Sequence, residues 1–134
     1  MLVRFAALAL LALPLTAQAQ TSPLIADDPV GGVLDAGDSI FGDGSYFDLY
    51  TYYGTPGETV VITLRSSDFD AYLIGGPTLE EALAVMHEDD DSGGGTDAEL
   101  VVEIGASGEY VVLANTYEEG GTGAYVIVAS SPVE

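Results

Sequence analysis

The chain has no cysteine, no tryptophan and no lysine, and it carries a single histidine. Without cysteine there can be no disulfide, no thiolate nucleophile and no lipid-attachment thiol. One histidine without sulfur partners also rules out an ordinary zinc site. Cations are nearly missing: two arginines stand against 22 carboxylates, for a formal net charge of -20. A surface of that sign repels phosphate backbones and anionic headgroups, which excludes nucleic acid and anionic lipid as partners. It attracts divalent cations and basic proteins. It would equally keep an exported protein dispersed, or suit a salty medium in which the repulsion is screened. Long apolar runs are scarce as well. The one that exists, residues 5–15, is interrupted by Pro14 and is far shorter than the roughly 20 residues a membrane span needs, so no membrane insertion is expected.

That run reads as a secretory signal. Arg4 supplies the positive start, and Ala17-Gln18-Ala19 matches the small-x-small cleavage rule, which places residues 1–19 in the signal and makes Gln20 the expected first residue of the exported chain. Residues 20–134 then hold every acid and only Arg65 as a cation, and they are expected to form one domain.

Within that domain apolar and polar residues alternate in short bursts bounded by glycine, proline or aspartate, the pattern of half-buried antiparallel strands. The bursts fall at residues 45–53, 59–65, 69–74, 84–88, 98–104, 109–115 and 124–129, with a shorter one at 32–34. The turns between them suggest hairpins: 45–53 with 59–65, 69–74 with 84–88, and the last pair with each other. Residues 77–83 form the exception, because Thr78 and Glu81 have capping-box spacing; a single helical turn is expected there. Seven or eight strands with no amphipathic helix can bury their apolar faces only against each other, so the expected fold is all-β, a two-sheet antiparallel sandwich.

Acidic clustering provides the candidate site. Glu88-Asp89-Asp90-Asp91-Ser92-Gly93-Gly94-Gly95 puts four carboxylates against flexible glycines, and a hairpin of 69–74 with 84–88 would bring Asp68 and Asp70 to the same sheet end. Calcium takes six to eight oxygens from such groups. Asp68, Asp70, Asp89, Asp90 and Asp91 are therefore the first candidate metal ligands, with Asp35, Asp38, Asp43 and Asp48 as an alternative set. A solvated surface turn has the same composition, and that reading stays open. The spacing is not that of an EF-hand, since the fifth and twelfth positions counted from Asp89 are Gly93 and Leu100, and no glycine-rich repeat marks a calcium β-roll.

Several segments taken in order carry a resemblance: Gly44-Ser45-Tyr46-Phe47-Asp48-Leu49-Tyr50, Gly57-Glu58-Thr59-Val60, Ser67-Asp68-Phe69-Asp70-Ala71-Tyr72-Leu73, Asp89-Asp90-Asp91-Ser92-Gly93-Gly94-Gly95, Gly108-Glu109-Tyr110-Val111-Val112 and Gly123-Ala124-Tyr125. Together they resemble the bacterial pre-peptidase C-terminal domain, a family related to the collagen-binding modules of clostridial collagenases. The resemblance implies a jelly-roll-like sandwich, calcium in some members, and an accessory role beside a secreted peptidase. It does not say which acids would bind metal, and no peptidase precedes the domain in this sequence.

Catalysis is not expected. His87 is the one general base available near neutral pH, and neither a Gly-x-Ser-x-Gly elbow nor a cysteine accompanies it. Tyr46, Tyr50 and Tyr52 share one strand face, with Tyr53 at its end; they could meet a peptide or sugar, but cross-strand packing is the favoured role. The hairpin over 54–57 would set Arg65 opposite Tyr46 and diagonal to Asp48. The sequence is thus read as an exported, monomeric, non-catalytic accessory or binding module, secreted or periplasmic. Its expected partner is a secreted peptidase, another extracellular protein or a polysaccharide, with calcium as a stabiliser. The alternative is a stand-alone peptidase-associated chaperone or inhibitor.

Overall fold

A computed structural model describes residues 21–132, so the expected signal at residues 1–19 lies outside the described residues. The alternating segments become ten strands and one short helix: β1 (Ser22–Leu24), β2 (Val30–Leu34), β3 (Ser39–Ile40), β4 (Tyr46–Tyr53), β5 (Thr59–Arg65), β6 (Ala71–Gly76), α1 (Leu79–Leu83), β7 (His87–Asp89), β8 (Ala98–Glu103), β9 (Glu109–Thr116) and β10 (Gly123–Ser130). One sheet runs β1-β4-β9-β6-β7 with β3 also on β4; the other runs β2-β10-β5-β8. All pairings are antiparallel except that of β1 with β4. The strand total exceeds the expected seven or eight because β1 and β3, of three and two residues, are too short to carry a visible period.

The expected hairpins between 45–53 and 59–65, and between the last two strands, are corrected. β4 pairs with β9, with Leu49 opposite Leu113, whereas β5 pairs with β8 and β10 in the other sheet. The connections 54–58 and 117–122 are therefore arches that carry the chain from one sheet to the other. Alternation tells which side chains face the core. It does not tell whether two successive strands lie edge to edge or face to face. The first arch is held by Glu58, whose carboxylate accepts from the Thr55 N–H at 2.7 Å and from the Tyr52 hydroxyl at 3.0 Å.

The hairpin of β6 and β7 does form, with Ile74 opposite Glu88. Its second strand starts at His87 rather than residue 84, because the helix continues into a closing turn: Val85 takes a positive φ of 58° and Met86 N–H donates to the Glu81 carbonyl. At the helix start Thr78 Oγ1 accepts from the Glu81 N–H at 3.1 Å, as the capping spacing requires.

Two apolar clusters result. The inner one lies between the sheets and includes Leu73, Val112, Ala114, Ile62, Leu64 and Ile127, all fully buried. The second lies on the outer face of the larger sheet, where Leu49, Ile74, Val111 and Leu113 are covered by Ala82 of α1 and by Phe41 and Phe47. β9 is buried along nearly its whole length for this reason. No helix among the described residues is long and apolar enough to cross a membrane.

Candidate functional site

The β6–β7 hairpin sets Leu73 opposite Asp89, and the Ala71 N–H donates to the Thr96 carbonyl at 2.9 Å, which ties the glycine-rich loop to the start of β6. The first candidate set then divides. Asp89 accepts from Ser92 N–H and Oγ and from the Glu99 N–H, at 2.9, 2.6 and 2.8 Å. Burial works against its charge, but these bonds outweigh burial and hold the carboxyl below its ordinary value. Asp68 closes a corner, with Oδ2 accepting from the Ala124 N–H at 2.8 Å. Both are occupied by backbone donors. Glu88 is bonded to the Tyr72 hydroxyl. For Asp70, burial and then the charges of Asp90, Glu118 and Asp91 push the carboxyl up.

The alternative set divides too. Asp43 accepts from Ser45 Oγ at 2.5 Å and Ser45 N–H at 3.0 Å, and the side-chain bond is the main reason its carboxyl is held low. Asp35 and Asp38 build a tight loop before β3, with Asp35 Oδ1 accepting from the Gly37 N–H at 2.9 Å and Asp38 Oδ2 from the Asp35 N–H at 2.8 Å. That loop leans on Asp48 of β4. Burial pushes the Asp48 carboxyl up, the Tyr125 hydroxyl bond pulls it down, and Asp38 and Asp35 push it up again by charge. Asp38 and Asp35 thus act on Asp48 by charge, whereas Asp43 is tied to Ser45.

Asp48 also ends a buried polar chain that joins the two sheets. The Tyr125 hydroxyl of β10 donates to Asp48 Oδ2 at 2.6 Å, so the Tyr50 hydroxyl of β4, at 2.5 Å, donates to Tyr125. The Tyr125 ring packs edge-on against Tyr50 and Phe69. Desolvation first, then Asp48 and Tyr50, raise the Tyr125 phenol far above its ordinary value, so it stays a donor. Sequence reasoning missed Tyr125; its partner lies in the other sheet, and no spacing rule reports that.

Metal binding requires convergence, and among the described residues no three histidine, aspartate or glutamate side chains form a group that could hold an ion.

His87 stacks on Tyr110, ring centres 6.0 Å apart, and its Nδ1 lies 2.8 Å from the Tyr110 hydroxyl. Its polar contact is with a buried phenol, not with a serine and an orienting carboxylate. The tyrosine strip packs as expected: Tyr50 and Tyr52 are core residues, Tyr46 packs against them, and Tyr53 stays exposed. Arg65 is corrected along with its hairpin. It stands opposite Val126 and beside Asp97, Nε to Oδ2 3.8 Å, and not opposite Tyr46 or near Asp48. A shallow depression of about 390 Å³ lies between Arg65, Asp97 and Val126.

No protein-family model matches the chain, and no curated protein matches it. Solved structures do. The pre-peptidase C-terminal domain of collagenase from Bacillus anthracis superposes with a TM-score of 0.58 at 14% identity, covering 85% of this chain and 98% of that one. A periplasmic inhibitor of g-type lysozyme from Aeromonas hydrophila gives 0.54 at 15% identity, covering 81% of this chain and 95% of that one. The ordered segments quoted above and the two-sheet topology agree on one conclusion: the fold of this chain is that of the pre-peptidase C-terminal domain.

Proposed function

We propose that this chain is an exported accessory module that works by binding a partner protein rather than by turning over a substrate. The observation that carries this reading is charge on a small sandwich: 22 carboxylates and a lone histidine whose ring is stacked on a core tyrosine. Carboxylates in such excess draw a basic partner and hold off other copies of the same chain. Similarity to an accessory domain of a collagenase and to a periplasmic lysozyme inhibitor supports a site of action outside the cytoplasm, secreted or periplasmic. A secreted peptidase is the leading partner class. The second reading, a stand-alone inhibitor or chaperone, is favoured by the likeness to an inhibitor that is itself a separate protein.

The test is retention of proteins from the periplasm and culture medium on the immobilised chain, with each identified and its activity assayed with and without the chain. The module reading expects a hydrolase to be retained and to elute with salt. A fall in that hydrolase's rate on adding the chain would mark an inhibitor, and an unchanged rate an accessory domain. Steady turnover by the chain alone that is abolished in His87→Ala would overturn both.

Calcium belongs to this proposal as a stabiliser, and Asp38 and Asp48 with Asp35 are the residues that would hold it. Their oxygen chemistry suits a hard cation, although the carboxylates number too few without backbone oxygens. Asp48 makes the idea testable. A carboxyl whose value is raised by folding adds stability that is fully present below the ordinary carboxylate range and lost as pH rises through the raised value. At neutral pH with chelator, Asp48→Asn is therefore expected to raise the melting temperature, since an amide oxygen still accepts from Tyr125 while the cost of burying the charge, and then the repulsion from Asp38, disappear. The gain should shrink as pH falls toward the carboxylate range. With millimolar-scale calcium the wild type should rise with concentration and the variant should not. A wild-type melting curve identical in chelator and calcium would remove the metal from the account.

A further inference from the structure

β8 is the outer strand of the smaller sheet: it pairs with β5 on one side, and among the described residues no strand pairs with its other side. Two hydrogen bonds fix which backbone groups face outward. The Ile104 N–H donates inward to the Glu58 carbonyl, and the Glu99 N–H donates outward to Asp89 Oδ2. In an antiparallel pair these directions alternate. The N–H and C=O groups of Val101 and Glu103 therefore point away from β5.

Other edges of the two sheets are protected in the usual ways. β1 has three residues and holds Pro23, β3 and β7 have two and three residues, and β2 is interrupted by Gly31 and Gly32. β8 has six residues, with no proline, glycine or lysine. Its core-facing side chains, Ala98, Leu100 and Val102, fix its register. Its outer side chains are Glu99, Val101 and Glu103, and Val101 is 61% exposed. Beside them, over the outer face of the smaller sheet, a depression of about 400 Å³ is lined by Val61, Thr63, Arg65, Glu99, Val101 and Ser130.

We infer that the free edge of β8 is a docking strand, which adds an extended segment of a partner protein carrying a cation, an apolar residue and a cation at alternate positions. The motif follows from direct cross-strand pairing with Glu99, Val101 and Glu103. Asp89 caps the Glu99 end and sets where the added strand starts. The same two glutamates reject a second copy, because antiparallel β8–β8 pairing would set carboxylates against carboxylates on chains that are each strongly negative. This inference rests on the binding-module reading and names its surface.

The probe is a pair of capped synthetic peptides of equal composition and charge: Thr-Lys-Thr-Val-Thr-Lys-Thr, and the permuted Thr-Lys-Lys-Val-Thr-Thr-Thr. The alternating peptide is expected to bind about 10-fold more tightly than the permuted one, because only it can pair both lysines with the glutamates on one face. It should also slow amide exchange at Val101 and Glu103 of the unmodified protein. Val101→Pro removes an outward N–H that β5 does not use, and should abolish the difference between the peptides. Equal binding of the two peptides with no slowing at Val101 and Glu103 would overturn the inference and leave diffuse charge attraction alone. If Val101→Pro does not fold, exchange in the unmodified protein decides. A hydrolase retained equally by wild type and folded Val101→Pro sinks this edge but not the module; peptide binding with no hydrolase retained does the reverse.

Discussion

Gly32→Ala is expected to cost about 3 kcal/mol of stability, at the upper end of what overpacking usually costs. A Cβ at Gly32 would lie 2.4 Å from both the Tyr125 ring carbon that bears the hydroxyl and the hydroxyl oxygen. Moving that ring aside is expensive because it is fixed three ways: by its bonds to Asp48 and Tyr50, by edge contacts to Tyr50 and Phe69, and by the pairing of Tyr125 with Gly32 across β10 and β2. Shifting it breaks a buried hydrogen-bonded chain and strands a carboxylate without its donor. In a Tyr125→Val background, with no ring to displace, the same glycine substitution should cost much less. Chemical denaturation of the four proteins gives the coupling directly. A penalty unchanged by removal of the tyrosine would mean that the close approach is not the cause.

Leu113→Ala is expected to cost about 2–5 kcal/mol, as much as Leu73→Ala, although the two point to opposite faces of the larger sheet. Leu73 faces the space between the sheets, and Leu113 faces α1 and the phenylalanines that cover the outer side. Both are fully buried. The larger sheet therefore has two apolar faces, and α1 is its outer cover. Gly76 shows how closely that cover fits: a Cβ there would lie 2.7 Å from the backbone nitrogen of Ala82. A loss below about 0.5 kcal/mol at Leu113, the range of surface substitutions, would mean that α1 opens readily in solution.

Much of the architecture could be read from residue order, and the reason is physical. Alternation in 59–65 and 98–104 reports which side chains are buried, and those assignments hold: Val60, Ile62, Leu64, Leu100, Val102 and Ile104 are all core. The capping spacing of Thr78 with Glu81 is likewise local and gave the helix. Connectivity between sheets is not local. Thr55-Pro56-Gly57 supplies a tight bend whether the chain returns beside itself or crosses over, and the neighbour that β4 takes, β9, lies about 60 residues further along the chain, with Leu49 opposite Leu113. The acidic groupings show the same limit. The charges of Asp90 and Asp91 act on Asp70, whereas Asp68 and Asp89 turn to backbone N–H donors that no composition reveals.

Amide hydrogen exchange along β8 in the free protein tests the central claim most directly, namely a two-sheet sandwich that keeps one long strand edge available to a partner. The expected result is alternation: slow exchange at Leu100, Val102 and Ile104, whose N–H groups face β5, fast exchange at Val101 and Glu103, and partial protection at Glu99 from Asp89. Uniform protection across residues 99–103 would mean that the edge is already covered, and uniform fast exchange that β8 is not held in the sheet. Either would contradict the account.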